Sequence, residues 1–153
     1  MKKIAEIIEV AEQKLKSAEL LLDNGFYDDS YYIGGYALEL FLKAKICKTL
    51  KIEDFFDFEN SNSRKLPISV KNSGKENLYK PFKVHDYEQL IILGGIYEDF
   101  SNEINNKAEI NSAWSIVSQW NENCRYICGY KQQDVKIFLD SIKLLCQWIK
   151  NQI

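Results

Sequence analysis

The stretch from Phe26 to Leu50, FYDDSYYIGGYALELFLKAKICKTL, decides the fold. Its apolar residues do not form one stripe. They run almost all the way round a helix, through Tyr31, Tyr32, Ile33, Tyr36, Leu38, Leu40, Phe41, Leu42, Ile46, Cys47 and Leu50. A helix apolar on nearly every side has to be buried against several partners at once. Glu39, Lys43, Lys45 and Lys48 make the stretch too polar for a membrane span, and Gly34-Gly35 interrupts it. The expectation is the central helix of a helical bundle.

Working outward, residues 3 to 23 form an amphipathic helix. Ile4, Ile7, Ile8, Ala11, Leu15, Ala18, Leu21 and Leu22 keep the three-and-four spacing of one buried face. Asn24-Gly25 ends it, because glycine enters the left-handed C-terminal conformation without steric cost. Asp28, Asp29 or Ser30 then caps the central helix, and so short a turn predicts antiparallel neighbours. The Gly34-Gly35 pair lets another backbone come close, expected to be that of the first helix or of a second subunit. Glu39 and Lys43, one turn apart in the favourable order, are expected to pair. Such a pair serves as a salt bridge at the bundle edge or as a polar spot in a cleft.

Beyond Leu50 the periodicity breaks. Residues 51 to 84 open acidic around Phe55, Phe56 and Phe58, then turn basic with Arg64, Lys65, Lys71, Lys75, Lys80 and Lys83. A connection that long without structure is unusual, so a helical turn near Asp54 to Phe58 and a weak hairpin joining Leu66–Val70 to Leu78–Phe82 are expected. The excursion reads either as a solvated loop pinned by its aromatics or as a basic surface that touches phosphates and stacks a base. Asp86 caps the next helix, Tyr87 to Leu93, which Gly94-Gly95 ends. Further helices are expected over Ile96–Asn105, Glu109–Trp120 and Gln132–Gln152, with NENCRYICGY as a loop before the last. Lys136, Lys143 and Lys150 repeat every seventh residue on the outside of that last helix, as a solvated face or a row tracking a phosphate backbone. The fold class is all-α: one domain over 1–153, an antiparallel up-and-down bundle of four to five main helices with an irregular basic excursion.

At 153 residues the chain is long enough to bury a core without disulfides or metals. A formal charge of -2 gives no global attraction to nucleic acid, so any such binding must use a local patch. Cys47, Cys124, Cys128 and Cys146 are scattered, and MKKIAEIIEV turns charged where a signal peptide would turn apolar, so free thiols and a cytoplasmic setting are expected. Cys124-x3-Cys128 lacks a second ligand pair, so no metal or other cofactor is expected.

His85 is the single histidine. It suits a proton carrier near neutral pH, or a plain capping or packing role at a helix start. No phosphate-cradling glycine loop occurs. Arg125, flanked by cysteines and tyrosines before the last helix, suits a clamp on a carboxylate or phosphate, or a lock onto helix carbonyls or Glu39.

Three stretches together resemble the HEPN family (higher eukaryotes and prokaryotes nucleotide-binding): AELLLDNGFYDDSYYIGGYALELFLKAKIC at 18–47, KVHDYEQLIILGG at 83–95 and WSIVSQWNENCRY at 114–126. The last is similar to the W-x5-W-x4-RY pattern of one bacterial subgroup. The resemblance implies a helical bundle, often a homodimer, in prokaryotic defence, toxin–antitoxin or nucleotide-transfer systems. Many relatives are metal-independent ribonucleases with an Arg-x4-6-His motif at the start of a late helix. Here Arg125 is followed at those spacings by Tyr130, Lys131 and Gln132, with no histidine. The expectation is a non-catalytic module that binds RNA, a nucleotide or a nucleotidyltransferase-type partner. Its contacts would be Arg125, Tyr126, Tyr130, Glu39, Lys43, Lys80 and Lys83, with no membrane involved. The alternatives are a ribonuclease with a rearranged site, Arg125 stabilising charge and His85 moving protons, or a purely structural interaction protein.

Overall fold

The computed structural model describes residues 3–51 and 84–153. Those residues fold into helices alone: α1 (Ile4–Asp23), α2 (Tyr27–Leu50), α3 (Tyr87–Leu93), α4 (Tyr97–Asn106), α5 (Ala108–Val117), a 3-10 helix (Glu122–Tyr126) and α6 (Gln132–Lys150). The all-α class is as expected. The helical turn near Asp54, the hairpin within 66–82, and Lys80 and Lys83 lie outside the described residues. Among the described residues no helix is long and apolar enough to cross a membrane.

α2 is the axis of the molecule. Ala37, Leu38, Leu40, Phe41, Leu42, Ala44, Ile46 and Cys47 are all buried, although they point to every side of the helix. α1, α3 and α6 pack around it. The α1–α2 turn closes as expected: Gly25 sits at φ +83°, the Phe26 amide donates to the Leu21 carbonyl at 2.9 Å and the Gly25 amide to Leu22 at 3.1 Å. This bond pattern satisfies the last carbonyls of α1. Gly95, at φ +69°, ends α3 in the same way, with the Ile96 amide donating to the Ile91 carbonyl.

Direction along the bundle is fixed by three sets of contacts. The hairpin turn makes α1 and α2 antiparallel. Lys143 and Lys150 of α6 pair with Glu19 and Glu12 of α1, so the two helices also run in opposite senses. α6 is therefore parallel to α2, which Asp28 and Tyr31 at the start of α2 bear out by meeting Tyr130 at the start of α6. The expected antiparallel arrangement holds for α1 with each partner but not between α2 and α6. The lysine row on α6 is likewise engaged by α1 carboxylates at two of its three positions.

Three local expectations change. No side chain of Asp28, Asp29 or Ser30 caps α2, whose N-cap is Phe26. Ser30 donates instead to the Ala18 carbonyl at 2.7 Å, and Asp28 reaches across to the loop before α6. The glycine pair is met first by side chains, although the expected first helix does approach Gly34, where a Cβ would lie 3.7 Å from the Ala18 Cβ. A Cβ on Gly34 would meet Leu139 of α6 at 2.4 Å, and one on Gly35 would meet the Trp120 indole at 2.2 Å. That second contact explains why α5 stops at Val117: the chain turns at Ser118 and Gln119 so that Trp120 lies flat over Gly35.

Candidate functional site

Glu39 is the one fully buried carboxylate among the described residues, with no exposed surface. Burying an ion in an apolar interior is costly unless other groups replace its water. Two do. Lys43, one turn on and also buried, donates to Glu39 Oε1 at 2.6 Å. His85 Nδ1 lies 3.0 Å from both carboxylate oxygens. The expected placement of Glu39 and Lys43 at the bundle edge is corrected: the pair sits inside, because α3 covers that face of α2. His85 reaches it because Asp86 caps α3, accepting the Gln89 amide at 2.9 Å, and so fixes the chain direction just upstream.

The side chain of His85 is 41 % exposed, so its ring joins the buried pair to the surface. It lines a cavity of about 280 Å³ with Asp86, Trp114, Trp120, Glu122 and Asn123 among the walls. Trp120 is buried and stacks on Tyr87 at 5.1 Å. Its indole nitrogen is buried and has no hydrogen-bond partner among the described residues. The Tyr87 hydroxyl donates to the Gly35 carbonyl at 2.7 Å, and burial holds its pKa well above the ordinary phenol value.

Arg125 stands elsewhere, on the exposed side of the 3-10 helix. Its guanidinium lies 4.8 Å from the centroid of the Tyr126 ring. Its pKa is raised above the usual value, first by charge interaction with Tyr126, with hydrogen bonding to Tyr126 and Tyr32 adding to it. Among the described residues no carboxylate forms a salt bridge with it. Tyr126 is 77 % exposed. Tyr130 is turned inward: its ring stacks on Tyr31 at 4.2 Å, and its amide donates to Asp28 Oδ1 at 2.8 Å. Burial first, then Cys124 and Asp28, raise the Tyr130 pKa.

The expected site residues therefore divide. Glu39, Lys43 and His85 come together; Arg125, Tyr126 and Tyr32 form a separate corner; Tyr130 pins the loop. Glu39 and Tyr32 are seven residues apart on α2, about 10 Å along its axis, so the anchors of His85 and Arg125 lie two turns from each other. Sequence reasoning overlooked the Glu39–His85 contact, Asp28 as the clamp on Gly129 and Tyr130, and the cavity side chains Glu122 and Asn123. One signal for the first was available: a lone glutamate among residues that are apolar on every side requires cationic partners.

These features define a class, an all-α protein on a buried central helix that carries a charged cluster midway along its length. The family model of the HEPN domain matches residues 4–53, and the resemblance is thereby shown over the α1–α2 hairpin. The stretch with the W-x5-W-x4-RY pattern falls outside that span. Neither a curated protein nor a solved structure matches the chain.

Proposed function

We propose that the chain is an HEPN-type module that binds single-stranded RNA or a nucleotide through the Arg125 corner, without the acid–base pair of ribonuclease relatives. The observation that carries this is the Arg125–Tyr126 pair. A guanidinium with no carboxylate in a salt bridge to it among the described residues, poised over an exposed aromatic ring, combines a phosphate contact with a stacking platform. The ribonuclease alternative needs a proton carrier within hydrogen-bond reach of the charge-stabilising group. His85 is held by Glu39, two helical turns from the Tyr32 anchor of Arg125, and Tyr130 is stacked inside. A homodimer, or a nucleotidyltransferase-type partner, would have the exposed Phe26 and Ile127 to cover near the same end.

The test is titration of short unstructured RNA and mononucleotides into the protein, followed by tryptophan fluorescence. Saturable binding that Tyr126→Ala weakens by about 1–3 kcal/mol per stacked base, and that Arg125→Ala also weakens, supports the proposal. Binding unaffected by either change, or no saturable change with any RNA or nucleotide, refutes it.

A further inference from the structure

We propose that the cavity beside His85 is a base pocket selective for guanine; this rests on the nucleotide-binding reading above and extends it to a second place on the surface. The cavity, about 280 Å³, lies just under the roughly 300–1,000 Å³ of sites for drug-sized ligands. It suits one base or nucleoside, not an oligonucleotide.

Its hydrogen-bonding character follows from the buried cluster. Lys43 and His85 both meet the Glu39 carboxylate, Lys43 at 2.6 Å and His85 Nδ1 at 3.0 Å. His85 Nδ1 faces both Glu39 oxygens, so Nε2 is the ring nitrogen turned away from the pair; in the tautomer that carries its proton on Nδ1, Nε2 is an acceptor. Among the described residues Nε2 has no partner of its own. Asp86, Glu88 and Glu122 line the same cavity, and an ionised carboxylate only accepts. The pocket therefore calls for a ligand edge that donates. Trp114, half-buried, brings an indole to the wall, a partner that a flat heterocycle stacks on, while Trp120, held between Gly35 and Tyr87, closes the floor.

Among the common bases, guanine presents two adjacent donors, N1–H and the 2-amino group, which match the two oxygens of one carboxylate. Adenine sets one donor beside one acceptor, cytosine one donor beside two acceptors, and uracil places one donor between two acceptors. Among the described residues no lysine or arginine lines the cavity, and its carboxylates repel phosphate. The phosphate has a place nearby. In a 3-10 helix side chains three residues apart eclipse. Glu122 at the cavity and Arg125 at the corner thus share one side of that helix, about 6 Å apart along its axis. One nucleotide spans both, base in the cavity and phosphate on Arg125.

The experiment is calorimetric titration of the full chain with guanosine, inosine, adenosine, cytidine, uridine and guanosine monophosphate. Guanosine is expected to bind at least about tenfold more tightly than uridine, and inosine, which lacks the 2-amino donor, to lose about tenfold against guanosine. Glu122→Gln and His85→Phe should erase the guanine preference. Glu122→Gln, a change at a partly exposed position, and inosine, a change in the ligand, keep the test open if His85→Phe does not fold. Equal affinity for all nucleosides overturns the pocket, as does their failure to bind while RNA still binds through Arg125. Capture of an arginine amide with no capture of guanosine also overturns it, because the donor edge would then be a peptide guanidinium. If guanosine preference holds but Arg125→Ala leaves guanosine monophosphate binding unchanged, the pocket stands and the Arg125 corner fails.

Discussion

Gly35→Ala places a methyl group where the indole of Trp120 already lies. The added Cβ would sit 2.2, 2.3 and 2.4 Å from three indole atoms. Those contacts fall far inside the 3.5–4.0 Å optimum between carbon atoms. The ring has little room to move: it is 4 % exposed, stacks on Tyr87 at 5.1 Å, and Tyr87 is itself bonded to the Gly35 carbonyl. Overpacking of this kind costs about 1–3 kcal/mol, and disturbing the aromatic stack adds about 1 kcal/mol. The better helix propensity of alanine returns about 1 kcal/mol. The net is a loss of about 2 kcal/mol, or about 4–8 °C in Tm for a chain of this size. Gly34→Ala is the control. Its Cβ would meet the far end of one flexible side chain, Leu139, and not a rigid ring, so its net loss should be smaller than that of Gly35→Ala, about 1 kcal/mol. Urea and thermal unfolding of both variants, alone and with Trp120→Leu, decide the matter. Trp120→Leu should relieve the Gly35→Ala penalty, an interaction that a double-mutant cycle isolates. Gly35→Ala at or above wild-type stability would refute the close approach.

Three further outcomes follow from the packing. Glu39→Gln replaces the buried carboxylate that Lys43 and His85 share and should cost about 3 kcal/mol in urea unfolding; a loss below about 1 kcal/mol would mean that the carboxylate is not desolvated. Asp28→Ala removes the acceptor of the Gly129 and Tyr130 amides, so both should exchange with solvent faster while α2 core amides stay protected. Alkaline pH should destabilise the fold. Burial raises the folded pKa values of Cys124, Cys146, Tyr31 and Tyr87. Above the unfolded values, about 8.5 for cysteine and 10 for tyrosine, the unfolded chain loses protons that the folded chain keeps. Stability is then full below pH 8.5 and falls as pH rises through the window up to the folded values. A Tm that stays flat from pH 8 to 11 would contradict those burials.

The helices were legible wherever local pattern decides them. The three-and-four spacing from Ile4 to Leu22, the all-round apolarity of α2, the Asp86 cap and the Gly25 and Gly95 stops are properties of neighbouring residues, and each appears in the fold. What the sequence concealed was set by contacts between distant residues. Asp28 looks like a helix cap until the loop at Gly129, a hundred residues on, supplies two amides. Trp120 fits a helical pattern until Gly35 offers a flat seat. Glu39 and Lys43 pair as their spacing predicts, but that spacing leaves a bundle-edge bridge and a polar spot in a cleft both open, because it says nothing about which element covers them; α3 does, and it brings His85. The parallel run of α2 and α6 is likewise invisible, since connection length constrains direction only for the short α1–α2 turn. Arg125 was singled out with its neighbour Tyr126, and what the sequence did not convey is that Tyr32, far away on α2, also acts on it.

The salt dependence of RNA binding tests the account most directly. Affinity of wild type for a short single strand should fall with salt, and Arg125→Ala should both weaken binding and reduce the slope by about 0.7, one phosphate contact. Identical affinity and identical slope in wild type and Arg125→Ala would contradict it.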